Sequence, residues 1–523
     1  MKLVRGTTRW TAGLLLLLAM AGCSKLIDHN ASRCDKDSDC LGYSHYHPFC
    51  VQHVCVQSGL APEDCFYPLT DGPLSTPENF LNQCSMGFLP GGPDGKPGTC
   101  LVDGKDPTTF DAGIRMPPPR GGAPASTSMH PAALCRDLAP PGTTVVYMSG
   151  SSNFQPLLAE LAPAIADTSP PIVPVFKITT SCIGAHSMNP DSPTFNNDHY
   201  IKDPGRDSAE SYAQIFLGNT QGGIDCLLGT DGEPVAVGES EIYPESCEGP
   251  ANKSDTVSES VGPILPLLFI VPPGSHETAI SFETARQVFG GGGGVYPWLD
   301  PARLFVRGNG TATLRLLAKE LELTPAQVWG VDQGNAVAMA QAVGVTSDPV
   351  QVQSTIGIIG IDFYDLYRGS LKPLAFQAKG QKCAYVPDSS LSTHDRINVR
   401  DGHYPLWGRI HFYTQIKDGN PVSQAAQDFV FRLTNANLDK EILTAFIKAG
   451  FVPTCAMKVK RTGELSDLLV DSPPPHACGC VFDKFTSLNG AAPETCHSCT
   501  DNGQCTEQAP NIYCNYGYCE PTL

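Results

Sequence analysis

The stretch Ala302–Leu323, "ARLFVRGNGTATLRLLAKELEL", passes through three patterns in succession. Leu304–Val306 is an unbroken apolar run of the kind that forms a short buried strand. Gly308, Asn309 and Gly310 are turn residues that accept unusual backbone angles. From Ala312 onward the apolar residues Leu314, Leu317, Ala318 and Leu321 fall on one helical stripe. A strand that ends in a glycine turn and feeds a helix is the repeating unit of an α/β fold. The same junction leaves the N–H groups of a helix start without partners, and such groups can hold an anion. Taken alone, the residues make an ordinary N-cap, with Asn309 or Thr311 as the capping side chain.

The alternation continues on both sides. Thr143–Gly150 ("TTVVYMSG") reads as a strand. Ser152–Ala166 reads as a helix with Pro156 in its first turn, where the missing N–H is harmless. Ile172–Thr179 and Leu265–Pro273 are further strands, the second of the fully buried kind. "ETARQVFGGGGG" is a helix ended by Gly290–Gly294, which read as a flexible connection. No Gly-Lys-Ser/Thr follows those glycines, so they are not the phosphate loop of a nucleotide triphosphatase. "TPAQVWG" and "NAVAMAQAVG" read as short helices, and "STIGIIGIDFYDLY" as a strand running into a helix. The pattern predicts an α/β fold with a parallel sheet over residues 135–465. One sheet rarely organises so much chain, so two lobes are expected.

The 523-residue chain carries a formal net charge of −18. That argues against nucleic acid as a partner and leaves no basic face for anionic lipid. A small anion remains compatible, because bulk charge is screened within about 8 Å at physiological salt while N–H dipoles act locally. Lys2, Arg5 and Arg9 precede the apolar Leu14–Met20, which is too short to span a bilayer and reads as an export signal. Leu18-Ala19-Met20-Ala21-Gly22-Cys23 resembles a bacterial lipobox. That resemblance implies removal of residues 1–22 and a lipid on Cys23, which would tether the chain to a membrane. Ser24, in place of an aspartate, implies the outer membrane in a cell that has two. The alternative is cleavage by ordinary signal peptidase, leaving a soluble secreted chain.

Of 21 cysteines, setting aside Cys23 leaves 20, an even number that in an exported chain predicts disulfides. They concentrate in two modules, residues 23–66 and 478–523. Residues 67–134 between the first module and the α/β region form a Pro/Gly-rich linker, with "LPGGPDGKPG" and "MPPPRGGAPAS". Cys34-x5-Cys40-x9-Cys50-x4-Cys55 matches Cys499-x5-Cys505-x8-Cys514-x4-Cys519, so the modules read as a repeat. Zinc is the competing use for "CGC" at Cys478 and "CHSC" at Cys496, and export favours crosslinks over metal. Cys496-His497-Ser498-Cys499 lacks the strand-then-helix setting of a thioredoxin-like motif. His45 and His47 read as solvated loop residues.

Five blocks, in order, resemble the phosphate-binding proteins of bacterial ABC transporters. They are "YMSGSSNFQPLLAELAP", "VGESEIYP", "RLFVRGNGTATL", "STIGIIGIDFY" and "DGHYPLWGRIHFY". The resemblance spans most of residues 135–465 and covers neither cysteine-rich end. It implies a two-lobed periplasmic binding protein type 2 fold, here flanked by small disulfide-rich modules. It also implies a phosphate or similar oxyanion as ligand, an ABC permease as partner, and no catalysis and no cofactor. By position it implies ligand-binding roles for Asn153 and Phe154, with Ser152 beside them, and for Ser181, Glu241, Arg307, Asn309, Gly310 and Thr311. Glu241 stands where the family has aspartate, Asn153 where it has threonine and Asn309 where it has serine. Arg307 precedes Asn309 by two residues instead of four.

In such a site two helix starts would converge on the anion from opposite lobes, and Arg307 would add a charge-assisted pair. Glu241 would accept a proton that hydrogen phosphate carries and sulfate lacks, and so reject sulfate. The modules and the substituted site residues suggest an alternative, a surface or interaction protein on a drifted scaffold. No nucleophile elbow, metal-ligand cluster or paired-carboxylate motif points to an enzyme.

Overall fold

The computed structural model describes residues 133–201, 212–220, 222–229, 231–248, 255–381, 383–470, 474–487, 489–506 and 512–521. It also describes the backbone of short strands at 48–51, 54–57, 88–89 and 99–100. The export signal, Cys23 and nearly all of the linker lie outside the described residues.

The first lobe grows from a βαβ unit. β1 (Thr144–Gly150) and β2 (Ile172–Ile178) pair in parallel. The crossover, α1 (Gln155–Ala166), buries Leu157, Leu158, Leu161 and Ile165 along one face. α2 (Ser181–His186) follows β2. β3 (Ala213–Phe216) and β4 (Gly223–Cys226) extend the sheet antiparallel, and Cys135–Cys226 ties this edge to the start of the domain. β5 (Val237–Ser240) pairs in parallel with the other side of β1.

β6 (Val257–Val271) belongs to both lobes. Its first half pairs with the later strand β10 (Trp407–Lys417), and its second half pairs with β9 (Ile356–Gly360). The ladder shifts register between Val261 and Ile264, where Gly262 and Pro263 interrupt it. The second lobe contains α3 (Phe282–Gly291), β7 (Leu304–Val306), α4 (Ala312–Glu320), β8 (Val331–Asp332), α5 (Ala336–Gly344), β9 and α6 (Ile361–Tyr367). β10 returns the chain to the first lobe, where it pairs with β5. α7 (Gln424–Thr434) and α8 (Lys440–Lys448) follow, and α8 packs against α1.

The main path of the sheet is therefore β8-β7-β9-β6-β10-β5-β1-β2-β3-β4. The α/β class and the two lobes are as expected, but the sheet is mixed, not parallel. β1 pairs in parallel with β2 and β5, and β7 with β8 and β9, while every pairing made by β6 and β10 is antiparallel. Two smaller expectations also change. Gly290 and Gly291 continue α3, and the left-handed backbone begins at Gly292. "TPAQVWG" forms only one 3-10 turn, Pro325–Gln327.

The C-terminal module is built onto the body. Cys455–Cys478 joins them, and α9 (Gly479–Thr486) buries Val481 and Phe482 in the main core. Cys480–Cys496, Cys499–Cys514 and Cys505–Cys519 crosslink the rest, so "CGC" and "CHSC" are disulfide cysteines. The last two bonds staple a hairpin of β11 (Ile512–Asn515) and β12 (Tyr518–Pro521), in which Cys514 faces Cys519. In the first module the strands at 48–51 and 54–57 pair antiparallel in the same register, with Cys50 opposite Cys55. The repeat in spacing is thus a repeat in register.

Candidate functional site

Helix starts from both lobes meet at the seam between them, because each sits at the end of a strand in a βα unit. In the first lobe, Ser151 caps the 3-10 turn Ser152–Phe154 that enters α1, accepting from the Asn153 N–H at 3.3 Å. Thr180 caps α2, accepting from the Ile183 N–H at 3.2 Å. In the second lobe Thr311, not Asn309, caps α4, accepting from the Leu314 N–H at 3.5 Å. α6 starts directly from the end of β9.

The lobes touch through these starts. The Arg307 guanidinium donates to Ser152 Oγ at 3.3 Å. The Ala312 N–H donates to Ser181 Oγ at 2.9 Å, and the Cys182 N–H donates to the Gly310 carbonyl at 3.1 Å. Arg315 Nη1 reaches the Ser246 carbonyl at 2.7 Å. The Cys182–Cys247 disulfide holds the start of α2 against the segment that follows Glu241.

Beneath this seam lie three buried acids. Glu239, on β5, accepts from the Ser151 N–H through Oε2 at 2.8 Å. Gly150 is required here, since a Cβ at that position would collide with the Glu239 carboxylate. Glu241, two residues on, accepts from Ser181 Oγ through Oε2 at 2.5 Å. Asp362, at the start of α6, has no side-chain partner for either oxygen. All three side chains are inaccessible or nearly so. Glu239 Oε1, Glu241 Oε1, Asn153 Oδ1 and Arg307 Nε are buried with no hydrogen-bond partner.

Burial raises the pKa of the Glu239 carboxyl well above the usual range, and Glu241 and Asp362 add to the shift. Asp362 is likewise raised, by burial first, with the Phe363 N–H opposing the rise and Glu241 and Asp365 adding to it. Burial also raises Glu241, but hydroxyl hydrogen bonds from Ser151 and Ser181 and the charge of Arg307 oppose the rise. Burial lowers the pKa of Arg307, while Glu241, Asp332 and Asp362 hold it up. The arginine stays charged, since a guanidinium is not deprotonated in proteins.

The structure thus brings together Ser152, Asn153, Ser181, Glu241 and Arg307. Gly310 packs against Thr180 across the seam. Phe154 puts its ring into the core against Phe176 and Phe412, so only its backbone faces the helix start. Asn309 is exposed, and its carbonyl accepts from Arg315 Nε at 2.7 Å. Glu239, Asp362 and Ser151 were not among the residues expected from sequence. Glu239 had a visible signal: in "GESE" it shares a strand face with Glu241. Among the described residues, the one His/Cys/Asp/Glu group close enough to hold a metal is Cys499, Cys505 and Cys519, all disulfide-bonded.

No protein-family model matches the sequence, and no curated protein matches it. Among solved structures, the chain is similar to a protein assigned as a phosphate ABC transporter substrate-binding protein from Clostridium perfringens, solved with bound phosphate. The TM-score is 0.40 at 11% identity, covering 60% of this chain and 100% of that one. It is similar to an ABC-type phosphate transport receptor from Vibrio cholerae at TM-score 0.38 and 12% identity, covering 59% and 99%. It is also similar to the OxyR regulatory domain from Pseudomonas aeruginosa at 0.31 and 8%, covering 55% and 95%. At TM-scores of 0.40 and below, the chemistry of the site rests on this chain's own residues.

Proposed function

We propose that the protein binds an oxyanion, phosphate or a close chemical relative, at the seam between its lobes and releases it unchanged. Arg307 carries this reading. It is 4% exposed, its Nε has no partner, and helix starts from both lobes surround it. A buried guanidinium with spare donors beside helix N-termini is the arrangement that attracts an oxyanion. Glu241 accepts the proton of a protonated oxyanion and repels one that has none, which disfavours sulfate. β6 and β10 cross the seam side by side, and the irregularity at Val261–Ile264 gives the lobes a place to flex.

The six disulfides among the described residues suit an oxidising space outside the cytoplasm. We place the chain there on a lipid at Cys23, outer membrane in a two-membrane cell, as a solute-binding protein that delivers to an ABC permease. The exposed Asn309 favours a second reading, a surface protein on the same scaffold whose ligand pocket has drifted.

Calorimetric titration of the intact chain with phosphate and with sulfate tests the first reading. Phosphate heat that disappears in Arg307→Ala, with none from sulfate, supports it. Silence with both ions from folded protein refutes it.

A further inference from the structure

The seam holds more acid than an oxyanion site needs. If Glu239, Glu241 and Asp362 were all ionised, one arginine would face three carboxylates, a local charge of −2, and a bound dianion would take it to −4. Helix dipoles cannot offset that inside a buried seam. The hydrogen bonds distinguish the three acids. Glu241 holds the Ser181 hydroxyl and is paired electrostatically with Arg307. Glu239 uses one oxygen on the Ser151 N–H and leaves the other buried and bare. Asp362 is met by no other side chain, and only the backbone N–H groups at the start of α6, its own and that of Phe363, favour its charged form.

Resting on the anion reading above, we infer that the site becomes proton-loaded as the anion binds. Glu239 and Asp362 bind the oxyanion as neutral acids, donating their O–H hydrogens to it, so that the anion is held together with protons on the protein. Each proton removes one repelling charge and turns an orphan acceptor into a donor. With both in place, Arg307 and Glu241 cancel, and the anion meets a neutral seam lined with donors. Protons come from solvent when the anion binds and return to it on release. The charged groups facing the pair are Glu241 from β5 and its continuation, Arg307 from the second lobe and Asp365 from α6, while Asp332 acts on Arg307. The 3-10 turn before α1 presents Ser152 and Asn153, and α2 presents Ser181 at its start and carries the buried His186 at its end. On β10, His411 lies beside Ser240, with Nδ1 at 2.7 Å from Glu259 on β6. The upward direction of both acid pKa values agrees with this assignment.

The test is phosphate calorimetry on the intact chain from about pH 6 to about pH 9.5, in pairs of buffers with different ionisation heats. These count the protons taken up per anion, and affinity falls about tenfold per pH unit for each proton. One to two protons beyond those phosphate itself binds are expected at the alkaline end. In Glu239→Gln/Asp362→Asn, whose amides donate at every pH, uptake falls to that of phosphate alone and alkaline affinity exceeds wild type at least tenfold. Binding without extra uptake by wild-type protein anywhere in that range overturns the inference and leaves the anion reading standing. No binding at any pH overturns both, and the wild-type arm decides even where the double variant fails to fold.

Discussion

Replacing Ser181 with alanine removes the hydroxyl that joins both lobes to the buried acid. Its Oγ donates to Glu241 at 2.5 Å and accepts the Ala312 N–H at 2.9 Å. A hydrogen bond to a charged group is worth about 1.5–3 kcal/mol and a neutral one about 1, so Ser181→Ala should cost about 3 kcal/mol. At about 2.1 cal/mol/K of unfolding entropy per residue over about 330 residues, that lowers Tm by about 4 °C. Thr311→Ala, which removes the cap of α4 and a neutral bond to the Gly308 carbonyl but touches no charged group, is the comparison, at about 1–2 kcal/mol. Differential scanning calorimetry of both variants at neutral pH measures the difference. Ser181 also holds down the pKa of Glu241, so its loss costs more at alkaline pH, where the carboxylate is charged, than at acid pH. A Ser181→Ala shift no larger than that of Thr311→Ala, or one independent of pH, refutes the assignment of this hydroxyl to the acid and both lobes.

Burial pushes Glu464 up to about 7, so its carboxyl supports the fold fully below its unfolded value of 4.5 and loses that support as pH rises through 7. Glu464→Gln keeps an acceptor for the Tyr243 N–H, so urea denaturation should find it equal to wild type at pH 4 and more stable at pH 8, by at most about 3 kcal/mol. Cys182–Cys247 closes a separation of 65 residues, and its removal in a double alanine variant should cost about 4 kcal/mol on the loop-entropy model. Because that bond seats the start of α2 beside Glu241, phosphate titration of the same variant should show weaker binding even where the protein is fully folded.

Local pattern carried the parts of the fold that are locally determined. β1, α1, β2, α4, α5, β9 and α6 all lie where the periodicity of the sequence puts them. The antiparallel connectors were harder, because β6 serves two environments. Its second half is buried on every side and reads as a strand, while its first half, "VSESV", mixes buried and exposed positions. Gly290 stays helical because packing overrides propensity: it lies against Leu323, with little room for a side chain. Cysteine density alone predicts a separable C-terminal module. Val481 and Phe482 had no visible reason to be core until Cys455–Cys478 brought them onto α8.

The site was legible to the extent that it is made of junctions. A strand end followed by a helix start can be seen in one dimension, which is why Arg307, Thr311, Ser152 and Ser181 stand out in the sequence. The balance of charge cannot be seen that way. Glu239 and Glu241 come from the first lobe, Arg307 and Asp362 from the second, and Asp362 simply ends an apolar run. An exposed acid at any of these positions would be unremarkable, and its cost appears only once burial is known. Three acids against one arginine is thus a property of the seam, made by the two lobes meeting. It follows that loosening the seam should release the acids as well as the anion: variants at Gly262 or Pro263 that part the lobes would lower the pKa of Glu239 and Asp362 toward ordinary carboxylate values. Carbonyl chemical shifts of those carboxyls across pH would follow this directly, and unchanged titration in a variant with separated lobes would show that each lobe alone sets the field at its own acid.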